Sequence, residues 1–235
     1  MKPTKKQFFI AGTDTDVGKT MIACALLSKA CEQGLTTAAV KPVAAGCTDT
    51  KDGLRNDDAL QLLSHCTMDL YYEQVNPVAF IEPIAPHIAA QKLDYRMRAD
   101  QLIGYTRGVL MQGAQFSLVE GAGGWRVPIN ERETLADLAM GLSIPVVLVV
   151  GMRLGCINHA LLSAQAINSD GLKLAGWVAN CIDPEMPELE ANIATLKQRL
   201  NAPLLGVVPN VADVSGAKAQ AKACGSYLDL APLLG

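Results

Sequence analysis

Short apolar runs alternate along the chain with longer stretches in which apolar residues recur every three or four positions. The short runs are rich in Val, Ile, Leu and Ala and predict buried strands, whereas the longer stretches predict helices. Strands are expected at 7–12, 36–43, 116–120, 144–151, 172–180 and 203–210, and helices at about 19–33, 57–66, 97–113, 134–141, 158–169 and 188–200. This alternation predicts an α/β fold with a doubly wound, mainly parallel sheet.

Length and composition favour a single domain over residues 1–235 and argue against several classes of protein. Half of the 235 residues are hydrophobic, which suits one core. A net charge of −3 without a Lys/Arg-rich run argues against nucleic-acid binding. The longest apolar run, 144–150, is far shorter than the roughly 20 residues of a membrane helix. Seven scattered cysteines are typical of reduced thiols, so we expect a cytoplasmic protein.

Polar or glycine-rich residues follow each predicted strand. In a doubly wound sheet, ligands bind outside the carboxyl ends of the strands, so these residues are expected to line one site. They lie at 12–20, 41–46, 120–124, 151–158, 180–183 and 209–210. The segment 67–96, which contains three prolines, is predicted to be irregular and to lie over one end of the sheet.

The stretch "GTDTDVGKT", residues 12–20, predicts a phosphate-binding loop between the first strand and the first helix. Gly12 and Gly18 allow backbone N–H groups to face an anion at the helix N-terminus. Lys19 can reach the β and γ phosphates of a nucleotide, and the Thr20 hydroxyl can bind Mg²⁺. The loop has one residue more than the usual G-x-x-x-x-G-K-[ST] pattern.

Carboxylates and a second lysine are the other candidates for this site. Glu120 ends a buried strand and Asp58 begins a helix, so both are candidate Mg²⁺ ligands beside Thr20. Helix capping is the alternative reading of Asp58 and its neighbour Asp57. Lys41, at the end of the second strand, is either a cation that supports phosphate chemistry or a side chain that extends into solvent.

The aspartate at position 14 bears on one alternative function. Partition- and nitrogenase-type proteins with a modified loop carry a signature lysine five residues before the loop lysine, and here that position holds Asp14. A nucleotide-dependent partition-type switch protein is therefore disfavoured. A P-loop ligase that acts on a related carboxylate substrate is a second alternative, although such chains usually carry a further glutaminase domain.

Several stretches together resemble the dethiobiotin synthetase family. In chain order they are "GTDTDVGKT", "KPVAAG", "GLRNDDA", "VNP", "EPIAPH", "VEGAGGW", "PVVLVVG", "LGCINHALL", "AGWVAN" and "APLLG". The resemblance implies a P-loop NTPase-type fold and a homodimer whose active site lies at the interface. It implies ATP- and Mg²⁺-dependent carboxylation and ring closure of 7,8-diaminopelargonate with CO₂ or bicarbonate, giving dethiobiotin, ADP and phosphate.

The resemblance also implies roles for individual residues. Lys19 and Lys41 would stabilise the transferred phosphoryl group and the carbamate, and Thr20, Asp58 and Glu120 would bind the metal. The implied nucleotide contacts are Gly12, Thr15, Asp16, Val17, Gly18, Lys19, Thr20, Asp58, Glu120, Gly121, Ala122, Gly123, Asn180, Cys181, Pro209, Asn210 and Val211. The implied substrate contacts are Lys41, Ala45, Gly121 and, from the neighbouring subunit, Gly155, Cys156, Ile157 and Asn158.

Two positions leave the substrate open, and one short stretch bears on the nucleotide. Ala45 stands where the family often has serine, and Asn192 stands where some relatives use a tyrosine near the substrate carboxylate. Either change can weaken affinity for the diamine without affecting phosphoryl transfer. The stretch "NCID", 180–183, imitates a guanine-selecting motif but lacks its usual lysine, so ATP is favoured over GTP.

Overall fold

The predicted strands form one six-stranded sheet in which every pair of neighbours is parallel. The computed structural model describes residues 5–211 and 214–235. In chain order the described strands are β1 (Lys6–Gly12), β2 (Thr37–Val40), β3 (Val43–Ala44), β4 (Thr48–Thr50), β5 (Gly53–Arg55), β6 (Val78–Ala79), β7 (Phe116–Glu120), β8 (Val146–Gly151), β9 (Leu174–Asn180) and β10 (Leu204–Val208). The main sheet has the order β10-β9-β8-β1-β7-β2, and β3–β6 and β4–β5 form two small separate pairs.

Helices cover both faces of this sheet, so the expected doubly wound α/β architecture is confirmed. In chain order they are α1 (Lys19–Glu32), α2 (Asp57–Ser64), α3 (Tyr72–Val75), α4 (Pro86–Lys92), α5 (Ala99–Leu110), α6 (Leu135–Leu142), α7 (Cys156–Ser169), α8 (Leu189–Arg199), α9 (Ala217–Gly225) and α10 (Ala231–Leu234). One apolar cluster packs α1, α2 and α9 on one face of the sheet, and a second packs α6, α7 and α8 on the other. Side chains alternate between the faces, so the central strands are buried on both sides and read as continuous apolar runs.

The segment 67–96 differs from its prediction. Part of it runs along the outer edge of β2, where Thr67 N–H donates to Thr37 O and Lys41 N–H donates to Val75 O. It contains only the short elements α3, α4 and β6. The prediction that the segment lies over one end of the sheet is wrong for the part that is hydrogen-bonded to β2. An exposed strand edge presents unpaired backbone groups, and this segment satisfies them at β2.

Register in the sheet decides which residues meet at its carboxyl edge. Ile10 of β1 pairs with Glu120 of β7, and Val40 of β2 pairs with Val119. Lys41 follows Val40 directly, so it emerges beside Glu120 at the same edge as the loop that follows β1. The helix expected at 158–169 begins two residues earlier, at Cys156, which brings more of the 155–158 segment into the first helical turn.

No helix within the described ranges, 5–211 and 214–235, combines the length and the apolar character needed to cross a lipid bilayer.

Candidate active site

The loop between β1 and α1 has the geometry of a phosphate cradle. Gly18 has φ of 84°, the left-handed conformation that glycine adopts without strain, and it leads directly into α1. At Gly12 the backbone passes so close to the loop that a Cβ atom would lie 2.9 Å from the Asp14 carbonyl oxygen. The first N–H groups of α1 have no partner within the helix, and together with its dipole they favour an anion there.

Lys19 is held inside this loop. Its Nζ donates a hydrogen bond to the Asp14 carbonyl at 2.9 Å, and the residue is only 7% exposed. Burial lowers the pKa of Lys19, and the nearby Glu120 carboxylate offsets only part of that effect. The ammonium group is therefore poorly solvated, so it loses little further water when it contacts phosphate oxygens.

Lys41, Asp58, Glu120 and Thr20 form one connected cluster next to the loop. Lys41 Nζ lies 2.7 Å from Asp58 Oδ2 and 2.7 Å from Glu120 Oε1. The Thr20 hydroxyl donates to the same Glu120 oxygen at 2.8 Å. The cluster combines a strand end, a helix start and the first turn of α1, as the sequence predicted. Lys41 is 5% exposed, so the alternative of a lysine extending into solvent is wrong.

The charges of this cluster stabilise one another. Burial opposes the charged form of Lys41, but the carboxylates of Glu120 and Asp58 outweigh it and raise the pKa of Lys41 above the ordinary lysine value. Glu120 is 1% exposed, so most of its ionic contact is shielded from water. Lys41 is therefore a permanent cation at neutral pH, held between two carboxylates at the edge of the phosphate loop.

The donor atoms of this cluster fit a Mg²⁺ ion. Glu120 Oε2 is buried and has no hydrogen-bond partner among the described residues, so it is available to a cation. Carboxylates and a hydroxyl are the hard oxygen ligands that Mg²⁺ prefers, and it usually takes only one or two carboxylates beside phosphate oxygens. No group of three or more His, Cys, Asp or Glu side chains with the geometry of a metal site occurs in the described parts of the chain. The oxygen donors of this cluster that a metal would find are those of Thr20, Asp58 and Glu120.

Asp58 is not the N-cap of its helix, although it lies in the first turn, where a carboxylate complements the helix dipole. The residue that caps α2 is Asn56, whose Oδ1 accepts a hydrogen bond from Ala59 N–H at 3.2 Å. Asp57 is exposed, while Asp58 on the next position pairs with Lys41. The sequence did not single out Asn56, although an asparagine directly before two aspartates is a typical helix-start signal.

Other predicted nucleotide contacts surround the loop. Asn180, at the end of β9, is 2% exposed and its Nδ2 donates to the Val17 carbonyl at 2.8 Å. The glycine turn at 121–124 follows Glu120 and lies beside the loop, since a Cβ added at Gly124 would lie 3.7 Å from the Thr13 carbonyl oxygen. Thr15 and Asp16 lie exposed at the tip of the loop. Cys181 and the 209–211 segment follow β9 and β10 at the same edge of the sheet.

The 155–158 segment lies at the start of α7, beyond the carboxyl end of β8. Gly155 has φ of 94° and precedes the first helical turn, and Asn158 is exposed while Cys156 is buried. Within the described residues no hydrogen bond or ion pair joins this segment to Lys41 of the same chain. The turn that precedes the segment contacts the phosphate loop, because Arg153 forms an ion pair with Asp14.

Three further contacts near the site leave no local pattern in the sequence. Arg153 was not singled out, because a lone arginine after a strand has no distinctive spacing. Trp125 Nε1 and Arg126 both donate to the Asp170 carboxylate at 2.7 Å, which ties the chain after the glycine turn to the end of α7. These partners lie 45 and 44 residues apart in the chain, so no local pattern could reveal them.

The sheet order, the loop between β1 and α1 and the cluster at its edge define a P-loop nucleotide-binding protein. A family model described as an AAA domain matches residues 6–218. Among solved structures, the cell division protein FtsY from Thermotoga maritima is similar, with a TM-score of 0.53 and 13% identity over 100% of this chain and 70% of that one. At that identity the likeness shows the fold alone.

Sequence relatives narrow this class to one family. The ATP-dependent dethiobiotin synthetase BioD of Cellvibrio japonicus is 59% identical over 231 residues, which cover 98% of this chain and 99% of the relative. The BioD protein of Pseudomonas aeruginosa strain PAO1 is 58% identical over 226 residues, 96% of this chain and 97% of the relative. The chain belongs to the dethiobiotin synthetase family and is an enzyme of the ligase class, as the quoted motifs predicted.

Proposed function

We propose that the protein synthesises dethiobiotin for biotin biosynthesis, working in the cytoplasm as a homodimer. One amine of 7,8-diaminopelargonate takes up CO₂ as a carbamate, and a carbamate oxygen attacks the γ phosphorus of ATP, releasing ADP. The second amine then attacks the carbonyl carbon of the resulting carbamic–phosphoric anhydride, closes the five-membered urea ring and expels phosphate. Family membership and the contacts of Lys41 are the main support for this proposal.

The residues of the cluster suit this chemistry. Phosphoryl transfer needs alignment and neutralised charge more than covalent help from the protein. Lys19 lies inside the loop and would contact the β and γ phosphates, and Lys41 lies at its edge, where carbamate and γ-phosphate would meet. Both lysines are buried, so their charges act in a poorly solvated site, where electrostatic interactions are stronger than in water.

Thr20, Asp58 and Glu120 would hold the Mg²⁺ ion. The metal would neutralise negative charge on the phosphate oxygens. The free Oε2 atom of Glu120 is the observation within this chain that supports metal binding. The Thr20 hydroxyl already donates to Glu120 and is positioned by it, so it would need only to turn its lone pairs toward the ion.

An isotope-transfer experiment tests the reaction. The protein is incubated with ATP, Mg²⁺, the diamine and ¹⁸O-labelled bicarbonate, and both dethiobiotin and phosphate are analysed by mass spectrometry. Because a carbamate oxygen becomes the bridging oxygen of the anhydride, ¹⁸O is expected in the released phosphate. ADP release should depend on both diamine and bicarbonate, and repeating the assay with GTP measures nucleotide preference.

The outcomes separate the alternatives. ADP release that ignores diamine and bicarbonate would favour a partition-type switch. Release that depends on another carboxylate substrate would favour a related ligase. Product without ¹⁸O in phosphate would rule out attack by the carbamate oxygen.

A subunit-mixing experiment tests the shared active site. Lys41→Gln removes the cation from one half of the site. Gly155→Asp places a negative charge where the neighbouring subunit's substrate carboxylate is expected. The new Cβ has no atom within 4 Å, but Gly155 has φ of 94°, so the side chain strains the backbone and circular dichroism has to show that the variant is folded. Each variant alone should be nearly inactive. Equal mixing after reversible dissociation should restore about a quarter of wild-type activity, since half of the dimers are mixed and each has one intact site.

Light scattering provides the control for this prediction. The wild type and both variants should have twice the 24.9 kDa mass of the chain. Full activity in a monomer, or no recovery when the mixed dimers demonstrably form, would show that the site is built from one chain.

A further inference from the structure

A buried chain of hydrogen bonds links the backbone of Lys41 to the start of helix α2. The Lys41 carbonyl accepts a hydrogen bond from Asn76 Nδ2 at 2.8 Å, and its N–H donates to the Val75 carbonyl at 2.7 Å. Asn76 Nδ2 also donates to the Val78 carbonyl at 3.2 Å. The strand end that carries Lys41 is therefore fixed by the segment that follows α3.

Tyr72 continues this chain to the helix. Its hydroxyl donates to Asn76 Oδ1 at 3.0 Å and accepts a hydrogen bond from the Asn56 N–H at 2.7 Å. Asn56 is the residue whose side chain caps α2, and Asp58 lies in the first turn of that helix. The same series of bonds thus holds the backbones of both partners in the Lys41–Asp58 ion pair.

These groups are buried, so each missing bond would be costly. Asn76 is 3% exposed, Asn56 is 7% exposed and Tyr72 is 8% exposed. A buried donor or acceptor left without a partner costs about 1–3 kcal/mol, which makes a fully connected network rigid. The Tyr72 ring is held separately, since the Arg55 guanidinium lies over its face at 4.1 Å from the centroid. The hydroxyl can therefore be removed while the ring keeps its packing.

We propose that Tyr72 and Asn76 are positioning residues that hold Lys41 and Asp58 at the separation that Mg²⁺–nucleotide binding requires. Neither side chain has a hydrogen bond to the Lys41 ammonium or to the Asp58 carboxylate, so both act through the backbone. The proposal rests on the proposed function for the roles of Lys41 and Asp58. It adds that the geometry of the ion pair is set by residues 72–76, which follow the outer edge of the sheet.

Tyr72→Phe is the direct test. We expect the Mg²⁺ concentration that half-saturates binding of a non-hydrolysable ATP analogue to rise about tenfold, the size of effect that loss of a residue supporting metal ligands produces. Analogue affinity measured in EDTA should stay within about twofold of wild type, since the phosphate loop is untouched. Isothermal titration calorimetry measures both quantities without turnover. In activity assays, kcat should fall by about the same factor by which the half-saturating Mg²⁺ concentration rises.

Two comparisons separate positioning from a loss of stability. Tyr71→Phe changes the neighbouring tyrosine, which is 78% exposed, and should leave both binding constants unchanged. In an Asp58→Asn background, Tyr72→Phe should have little further effect on the Mg²⁺ dependence, because residues that act through one another are not additive. Lower thermal stability alone would not produce this pattern at a temperature where circular dichroism shows each variant folded.

Asn76→Ser breaks the same chain at another bond and should reproduce the Mg²⁺ effect. If either variant folds and binds Mg²⁺ and analogue like wild type, the positioning role is wrong. If neither variant folds, the network serves stability and the proposal also fails. A wild type that binds Mg²⁺ and analogue but makes no dethiobiotin would overturn the proposed function and leave this test intact.

Discussion

Replacing Lys41 with glutamine is expected to lower kcat by about 10²-fold or more, the scale on which loss of one preorganised donor acts. ATP affinity should fall much less than in Lys19→Gln, because Lys19 lies in the phosphate loop and Lys41 at its edge. Initial rates at saturating diamine and bicarbonate give kcat, and titration with a non-hydrolysable ATP analogue gives affinity. The two variants should therefore separate nucleotide binding from the chemical step.

Electrostatics explains the size of this effect. The site has to hold a triphosphate and a carbamate side by side, and repulsion between two such anions at 4 Å is about 4 kcal/mol at an effective dielectric constant near 20. The loop supplies Lys19 alone, because Asp14 stands where partition-type proteins carry a second lysine. Lys41 is the buried cation that the structure places nearest to both carboxylates of the proposed metal site.

Lys41→Gln also removes the cation from a buried ionic cluster. Leaving one partner of such a cluster uncompensated costs about 3–5 kcal/mol, so the variant should unfold at a lower temperature. Activity therefore has to be compared well below its melting transition. Lys92→Gln is the matched control, since Lys92 pairs with Glu82 at the surface and its loss should change neither stability nor kcat appreciably.

The raised pKa of Lys41 gives this prediction a pH signature. A lysine whose pKa is raised by folding contributes stability that is complete below the ordinary lysine pKa and is lost only as the pH rises through the raised value. Lys41 therefore stays charged from pH 6 to pH 9 and adds no step to the wild-type pH–rate profile. Normal turnover and normal ATP binding in Lys41→Gln would mean that the lysine serves the fold only.

The sequence predicted the sheet and several residues that the structure brings together at its carboxyl edge, because both follow from local patterns. Apolar runs predicted the six main strands, and the rule that ligands bind at the carboxyl edge brought Lys41, Glu120 and the phosphate loop together before any distance was known. Asp58 was predicted with less certainty, since a carboxylate in a first helical turn serves capping equally well. Spacing alone did not separate Asp58 from Asp57; the family resemblance singled out Asp58, and in the structure its contact with Lys41 distinguishes it.

Residues that act through tertiary hydrogen bonds could not be predicted in the same way. Tyr72 and Asn76 support Lys41 from 31 and 35 positions along the chain, and nothing in the proline-containing segment around them has a helical or strand period. Their segment follows the edge of β2, and its backbone is organised by the strand edge that it covers. The "VNP" stretch was noticed only through its resemblance to a family.

Substitution of the proposed metal ligands is the other change expected to have a large effect. Glu120→Gln and Asp58→Asn should each lower Mg²⁺-dependent turnover by about 10²-fold or more, because each replaces a charged carboxylate ligand with a neutral amide of similar shape. Activity measured across Mg²⁺ concentrations gives both the maximum rate and the half-saturating concentration. The Glu120 variant should be the more severe, since Glu120 is 1% exposed and contacts both Thr20 and Lys41.

The neighbouring aspartate provides the control for this last prediction. Asp57 occupies the same helical turn as Asp58 and is exposed, so Asp57→Asn removes an equal charge from the α2 N-terminus without touching Lys41. Each variant should therefore lose about 0.3–1 kcal/mol of helix-dipole stabilisation. The dependence of turnover on Mg²⁺ concentration should change only in Asp58→Asn. If Asp58→Asn and Asp57→Asn respond alike at low Mg²⁺, Asp58 is an ion-pair partner of Lys41 and not a metal ligand. Likewise, if Glu120→Gln keeps wild-type activity at low Mg²⁺, Glu120 is not a metal ligand.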